Sequence, residues 1–151
     1  MYPASEVTAL IDEHLVPVRI HVKEQPRMWH RFRIRWTPTV MVLATDGFEL
    51  RRTEGFLPTE DFLGQLKLGL GYAAADRKDW STAERWFTEA SGLTDTDAGP
   101  EGLYFVGVAR YSASHDPKEL AATYRAFQTR YEHTSWAKRA SIWAPKSTTK
   151  D

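Results

Sequence analysis

The sequence predicts an α/β protein in which a small sheet with flanking helices fills the first half and helical hairpins alone fill the second. Three observations carry this. Apolar residues alternate or run continuously in "VPVRIHV" and "TVMVLA", as strands require. A turn signal, Asp46-Gly47, follows the second of them. From Asp79 onward the apolar residues recur only at helical spacing.

In chain order, "SEVTALIDEHL" has Ser5 as N-cap and places Val7, Leu10, Ile11 and Leu15 on one stripe of a short amphipathic helix. "VPVRIHV" then alternates Val16, Val18, Ile20 and Val22 against Pro17, Arg19 and His21, and Pro17 lies near the start, where a missing ladder donor is tolerated. "EQPRMWHRFRI" begins a helix with Pro26 in its first turn, whose buried face is Met28 or Trp29 with Phe32. "TVMVLA" reads as a buried strand, "TDG" as a hairpin turn, and "FELRRTEGF" as a more polar partner strand ending at Gly55. Thr59 is expected to cap a helix over 59–78 of about five turns. Three further stripes follow: Ala83, Trp86, Phe87 and Ala90; Leu103, Val106, Gly107, Arg110 and Tyr111; and Leu120, Tyr124, Phe127 and Tyr131. "GLTDTDAGP" and "ASHDP" read as the turns between them, "SWAKRASIWA" as a last short helix and 146–151 as a polar tail.

The order of elements over residues 5–75, with "TPTVMVL" at its centre, resembles the C-terminal two-thirds of the thioredoxin fold. That resemblance implies a cis bond before Pro38, a substrate-facing backbone at Thr37, and a docking surface made by Trp36, Thr37, Pro38 and His21. It also implies that the family's central strand and Cys-x-x-Cys turn would lie upstream of Met1, leaving a sheet edge to be filled by a partner strand or a second copy. "LGLGYAAADRKDWSTAERWFTEA" is similar to tetratricopeptide repeats: Gly71 precedes Ala83 by twelve residues, and Phe87 and Ala90 follow Ala83 by four and seven. "YFVGVARY" to "FQTRYEHTSWAKRASIW" resembles a looser second copy. These resemblances divide the chain into a partial thioredoxin-like unit, 1–75, and a helical unit, 62–145, that share the helix 59–78. They imply a groove or packing role for Trp80, Trp86, Tyr104, Tyr111 and Tyr124; Trp136 and Trp143 join Trp80 and Trp86 as groove candidates, core being the commoner fate of such residues.

Composition narrows the function. Twenty basic residues balance twenty acidic ones, eight of each in residues 1–60, so no bulk field points to nucleic acid or an anionic membrane. With no cysteine, the chain offers no disulfide, thiolate nucleophile or sulfur-based zinc site. The five histidines show no i, i+4 pair for a metal, Gly69 and Gly71 fit helix packing rather than a phosphate loop, and no serine sits in a nucleophile elbow. "HRFRIRW", if extended, would set Arg31, Arg33 and Arg35 opposite Phe32, Ile34 and Trp36, a pattern shared by nucleic-acid patches and by ordinary solvated faces. The N-terminus lacks the parts of a secretory signal, and no apolar run reaches membrane-spanning length. The expectation is therefore a cytoplasmic, redox-inactive protein-interaction module without cofactor or metal, of adaptor or holdase type, that binds a protein or peptide. The alternatives are a short-start form of a thiol-disulfide oxidoreductase and a self-assembling structural subunit.

Overall fold

The computed structural model describes residues 5–146. Among these residues, seven α-helices and one two-stranded antiparallel sheet make a mixed but mainly helical structure. Helix α1, Ser5–His14, buries Val7 and Leu10 as the stripe requires. Ser5 is its first helical residue rather than a visible cap, and the residue before it lies outside the described range, as does the polar tail apart from Lys146.

The expected strand "VPVRIHV" does not form. Residues 16–21 are irregular, a turn closes on the His21 carbonyl, and Val16 and Val18 are 90% and 78% exposed. Period-two alternation describes a face, but a strand also needs a ladder to satisfy its backbone, and among the described residues no segment pairs with this one.

Helix α2, Pro26–Arg31, opens with Pro26 in its first turn and half-buries Met28, Trp29 and, just beyond its end, Phe32. Arg33 then adopts φ of 50°, so the "HRFRIRW" stretch is not the extended segment that the alternation would need. The Thr37–Pro38 bond is cis, as the resemblance implies, and leads into β1, Thr39–Leu43. The turn holds Gly47 at φ of 85°, and the Asp46 carboxylate accepts from the Phe48 N–H at 2.9 Å. Strand β2, Glu49–Glu54, pairs Val40 with Thr53 and Met41 with Arg52, with a bulge next to Val42.

Helix α3, Thr59–Asp76, begins one residue earlier than a Thr59 cap allows: Pro58 occupies the cap position and Thr59 the first turn. This helix is apolar on two sides for a visible reason. Gly69 and Gly71, about 200° apart around the axis, each make room for a neighbour. A Cβ on Gly69 would stand 2.6 Å from Val42 of the hairpin, and one on Gly71 would collide with the Phe87 ring of α4. One helix thus closes two cores. The first joins Val7, Leu10, Val42, Phe62, Leu66 and Trp86; the second joins Leu68, Ala74, Ala83, Phe87, Ala98 and Val106.

Helices α4, Trp80–Ser91, α5, Ala98–Ser114, and α6, Pro117–Thr129, stack in sequence, capped by α7, Ser135–Ala140, and a 3-10 turn at 141–143. Asp79, Asp116 and Thr134 accept from the first-turn amides of α4, α6 and α7. Ala98, Gly99 and Pro100, read in the sequence as turn, form the first turn of α5. Tyr131 lies beyond α6, at φ of 57°, and its hydroxyl donates to the Ser91 carbonyl at 2.5 Å.

Candidate functional site

Among the described residues, strand β1 has a partner on one side only. The Gly55 N–H donates to the Pro38 carbonyl at 2.8 Å and the Ala44 N–H to the Phe48 carbonyl at 2.8 Å, which fixes the parity of the ladder. Backbone groups of Val40 and Val42 therefore face β2, and those of Thr39, Met41 and Leu43 face outward. Among the described residues no other strand covers that edge. Trp36, 68% exposed, with exposed Thr37 and Pro38, stands at the head of the edge, and Leu43, 37% exposed, at its foot. The Thr39 hydroxyl donates to the Trp36 carbonyl at 2.7 Å and fixes the approach.

The two faces of the hairpin are covered differently. Val40 and Val42 point toward α3 and belong to the core shared with α1. On the opposite face Arg52 donates to the Phe32 carbonyl at 2.6 Å, Arg35 reaches Glu54 at 3.2 Å, and Arg31 lies beside Gly47. The segment after α2 thus runs along that face from the turn to the open end of the hairpin.

Not every expected docking residue joins this edge. The structure brings Trp36, Thr37 and Pro38 together. His21 instead lines a shallow depression of about 290 Å³ with Arg19, Glu24 and Gln25, which none of those three residues lines.

In the helical half, Trp86 takes the packing alternative: it is buried and meets the His14 ring of α1 edge-on at 4.7 Å. Trp80 is half-buried against the second core. Tyr104 stacks on Trp143 at 4.4 Å and touches Trp136 at 5.2 Å, Tyr124 accepts from Gln128, and Tyr111 is exposed beside His115. A second depression, of about 470 Å³, is lined by Asp97, Pro100, Glu101, Thr134, Ser135 and Trp136.

That depression borders the main polar cluster joining the halves, which sequence reasoning missed. Arg51 of β2 grips the Glu101 carboxylate of α5 with two N–H groups at 2.5 and 2.9 Å and donates its Nε to Gln65 of α3 at 2.8 Å. The Tyr72 hydroxyl of α3 donates to the same carboxylate. The signal was present in "AGPEGLYFVGVA", where Glu101 is the sole charge in a run otherwise fit for burial.

Burial, then the negative charge of Glu101, pushes the Tyr72 phenol well above the ordinary tyrosine range. The folded chain therefore keeps a proton that the unfolded chain loses above about pH 10. The stability Tyr72 gives is full below that pH and falls as pH rises, by at most about 1.4 kcal/mol per unit. Tyr72→Phe is expected to flatten this alkaline fall in urea unfolding; an unchanged slope would contradict the assignment.

Among the described residues no group of three His, Asp or Glu side chains is placed to hold a metal ion, and no helix is long and apolar enough to cross a membrane. The chain matches no protein-family model, no curated protein and no solved structure.

Proposed function

We propose that the protein is an interaction module of adaptor or holdase type that takes an extended segment of a protein partner onto the outer edge of β1. The open edge carries this reading. Thr39, Met41 and Leu43 offer outward backbone donors and acceptors at the spacing an added strand uses, and exposed Trp36 and Leu43 supply apolar contact at its two ends. Leaving such an edge open invites association, so an occupant is the physical expectation. The helical half serves as the scaffold, because Arg51, Gln65, Tyr72 and Glu101 tie β2 to α3 and α5.

The test uses an unfolding client protein and light scattering. Substoichiometric suppression of aggregation is expected from the native chain, and its loss in Met41→Pro, which deletes one outward N–H and leaves the inner ladder intact. Equal aggregation with and without the protein would remove the holdase form; equal activity of Met41→Pro, with unchanged circular dichroism, would remove the edge.

The same edge favours a second reading, in which it pairs with a strand of a longer thiol-disulfide oxidoreductase bearing Cys-x-x-Cys. The intact mass of the native protein separates the two: a mass clearly above 17.3 kDa favours the oxidoreductase, and a mass near it favours the module.

A further inference from the structure

We infer that the segment received at the β1 edge is acidic, with apolar residues alternating against glutamate or aspartate. This rests on the edge-docking reading and specifies its partner. Residues 16–36 carry Arg19, Lys23, Arg27, Arg31, Arg33 and Arg35 against one acidic residue, Glu24, a local excess hidden by the zero net charge of the chain. All six cations are exposed. Arg35 pairs with Glu54, and among the described residues the other five enter no ion pair.

Their placement matters more than their number. The chain from Arg31 to Arg35 lies along the face of the hairpin that carries Met41 and Arg52, held there by the Phe32 carbonyl and Glu54 contacts; Glu49 and Glu54 on this face pair with Arg52 and Arg35, so its excess charge is that of Arg31 and Arg33. A strand added outside β1 would turn alternate side chains toward this cationic face and the intervening ones toward the side where Val40 and Val42 join the apolar core. Acidic residues fit the first side and apolar residues the second.

The same charge argues against a second copy as the occupant. Pairing β1 with β1 across a two-fold axis would set one cationic segment against another without new anions between them.

The experiment measures fluorescence anisotropy of three strand-length peptides that share their apolar positions and carry Glu, Gln or Lys at the alternate ones. The Glu peptide is expected to bind about tenfold more tightly than the Gln peptide, as two or three exposed ion pairs would give, and the Lys peptide more weakly still. The Glu advantage is expected to shrink in high salt and in the double variant Arg31→Gln, Arg33→Gln. Equal binding of all three would overturn the acidic preference and leave edge docking standing. Binding by none would overturn both. Glu-peptide binding that survives Met41→Pro, or that a single-stranded oligonucleotide displaces from both the native chain and Met41→Pro, would show a general anion surface instead of strand docking. A concentration-dependent dimer that excludes the Glu peptide would assign the edge to a second copy.

Discussion

Glu101→Ala is expected to lower the free energy of unfolding by about 3–5 kcal/mol, the range for removing one partner of a buried ion pair. The Glu101 side chain is 8% exposed and that of Arg51 is 23% exposed, so neither charge can be returned to water without moving α5 or β2. Truncation strands the Arg51 guanidinium and leaves the Tyr72 hydroxyl without its acceptor in the same step. Arg51→Ala is expected to cost a similar amount. The double variant Arg51→Met, Glu101→Leu should recover most of the loss, because two apolar groups leave no unpaired charge. Urea unfolding followed by tryptophan fluorescence reads all three. A loss below about 1 kcal/mol for Glu101→Ala would put the pair in the class of solvated surface bridges and remove the strut between hairpin and helices.

Gly102→Val is expected to cost about 3 kcal/mol, near the upper end for overpacking. A Cβ at Gly102 would stand 2.7 Å from both the Phe87 carbonyl oxygen and the Ser91 nitrogen, which are backbone atoms of α4 and cannot rotate away. Relief requires the α4 and α5 axes to separate, and that opens the core around Phe87, Ala90 and Val106. Gly92→Ala provides the contrast, since its Cβ would meet only the Glu89 carbonyl at an ordinary 3.5 Å, and a change within about 0.5 kcal/mol is expected. Thermal unfolding of the two variants side by side checks the geometry; equal behaviour would contradict the close α4 and α5 crossing.

Features that depend on neighbours in sequence were legible before the structure was known. The Asp46-Gly47 turn, the placing of Pro26 in the first turn of α2, the strand at Thr39–Leu43 and the long helix through Leu66 and Leu70 each follow from local chemistry. Gly71 also carried long-range information, because a small residue spaced from Phe87 as helix packing demands does meet that ring. The strand expected at Val16 to Val22 failed because pairing is a property of two segments, and no periodicity in one of them reveals whether the other is there. Arg51 and Glu101 were hidden for the same reason: they lie fifty residues apart and acquire meaning only when β2 docks against α5. The arginines of "HRFRIRW" were visible in the sequence, but the balance of eight basic and eight acidic residues over 1–60 hid the local excess of residues 16–36.

We propose above all that the outward backbone of β1 receives a partner strand. Amide hydrogen exchange at single-residue resolution, with and without the Glu peptide, tests it most directly. The expected result is that the amides of Thr39, Met41 and Leu43 gain protection while those of Val40 and Val42, already bonded to β2, change little. Protection elsewhere with Thr39, Met41 and Leu43 unchanged would contradict it.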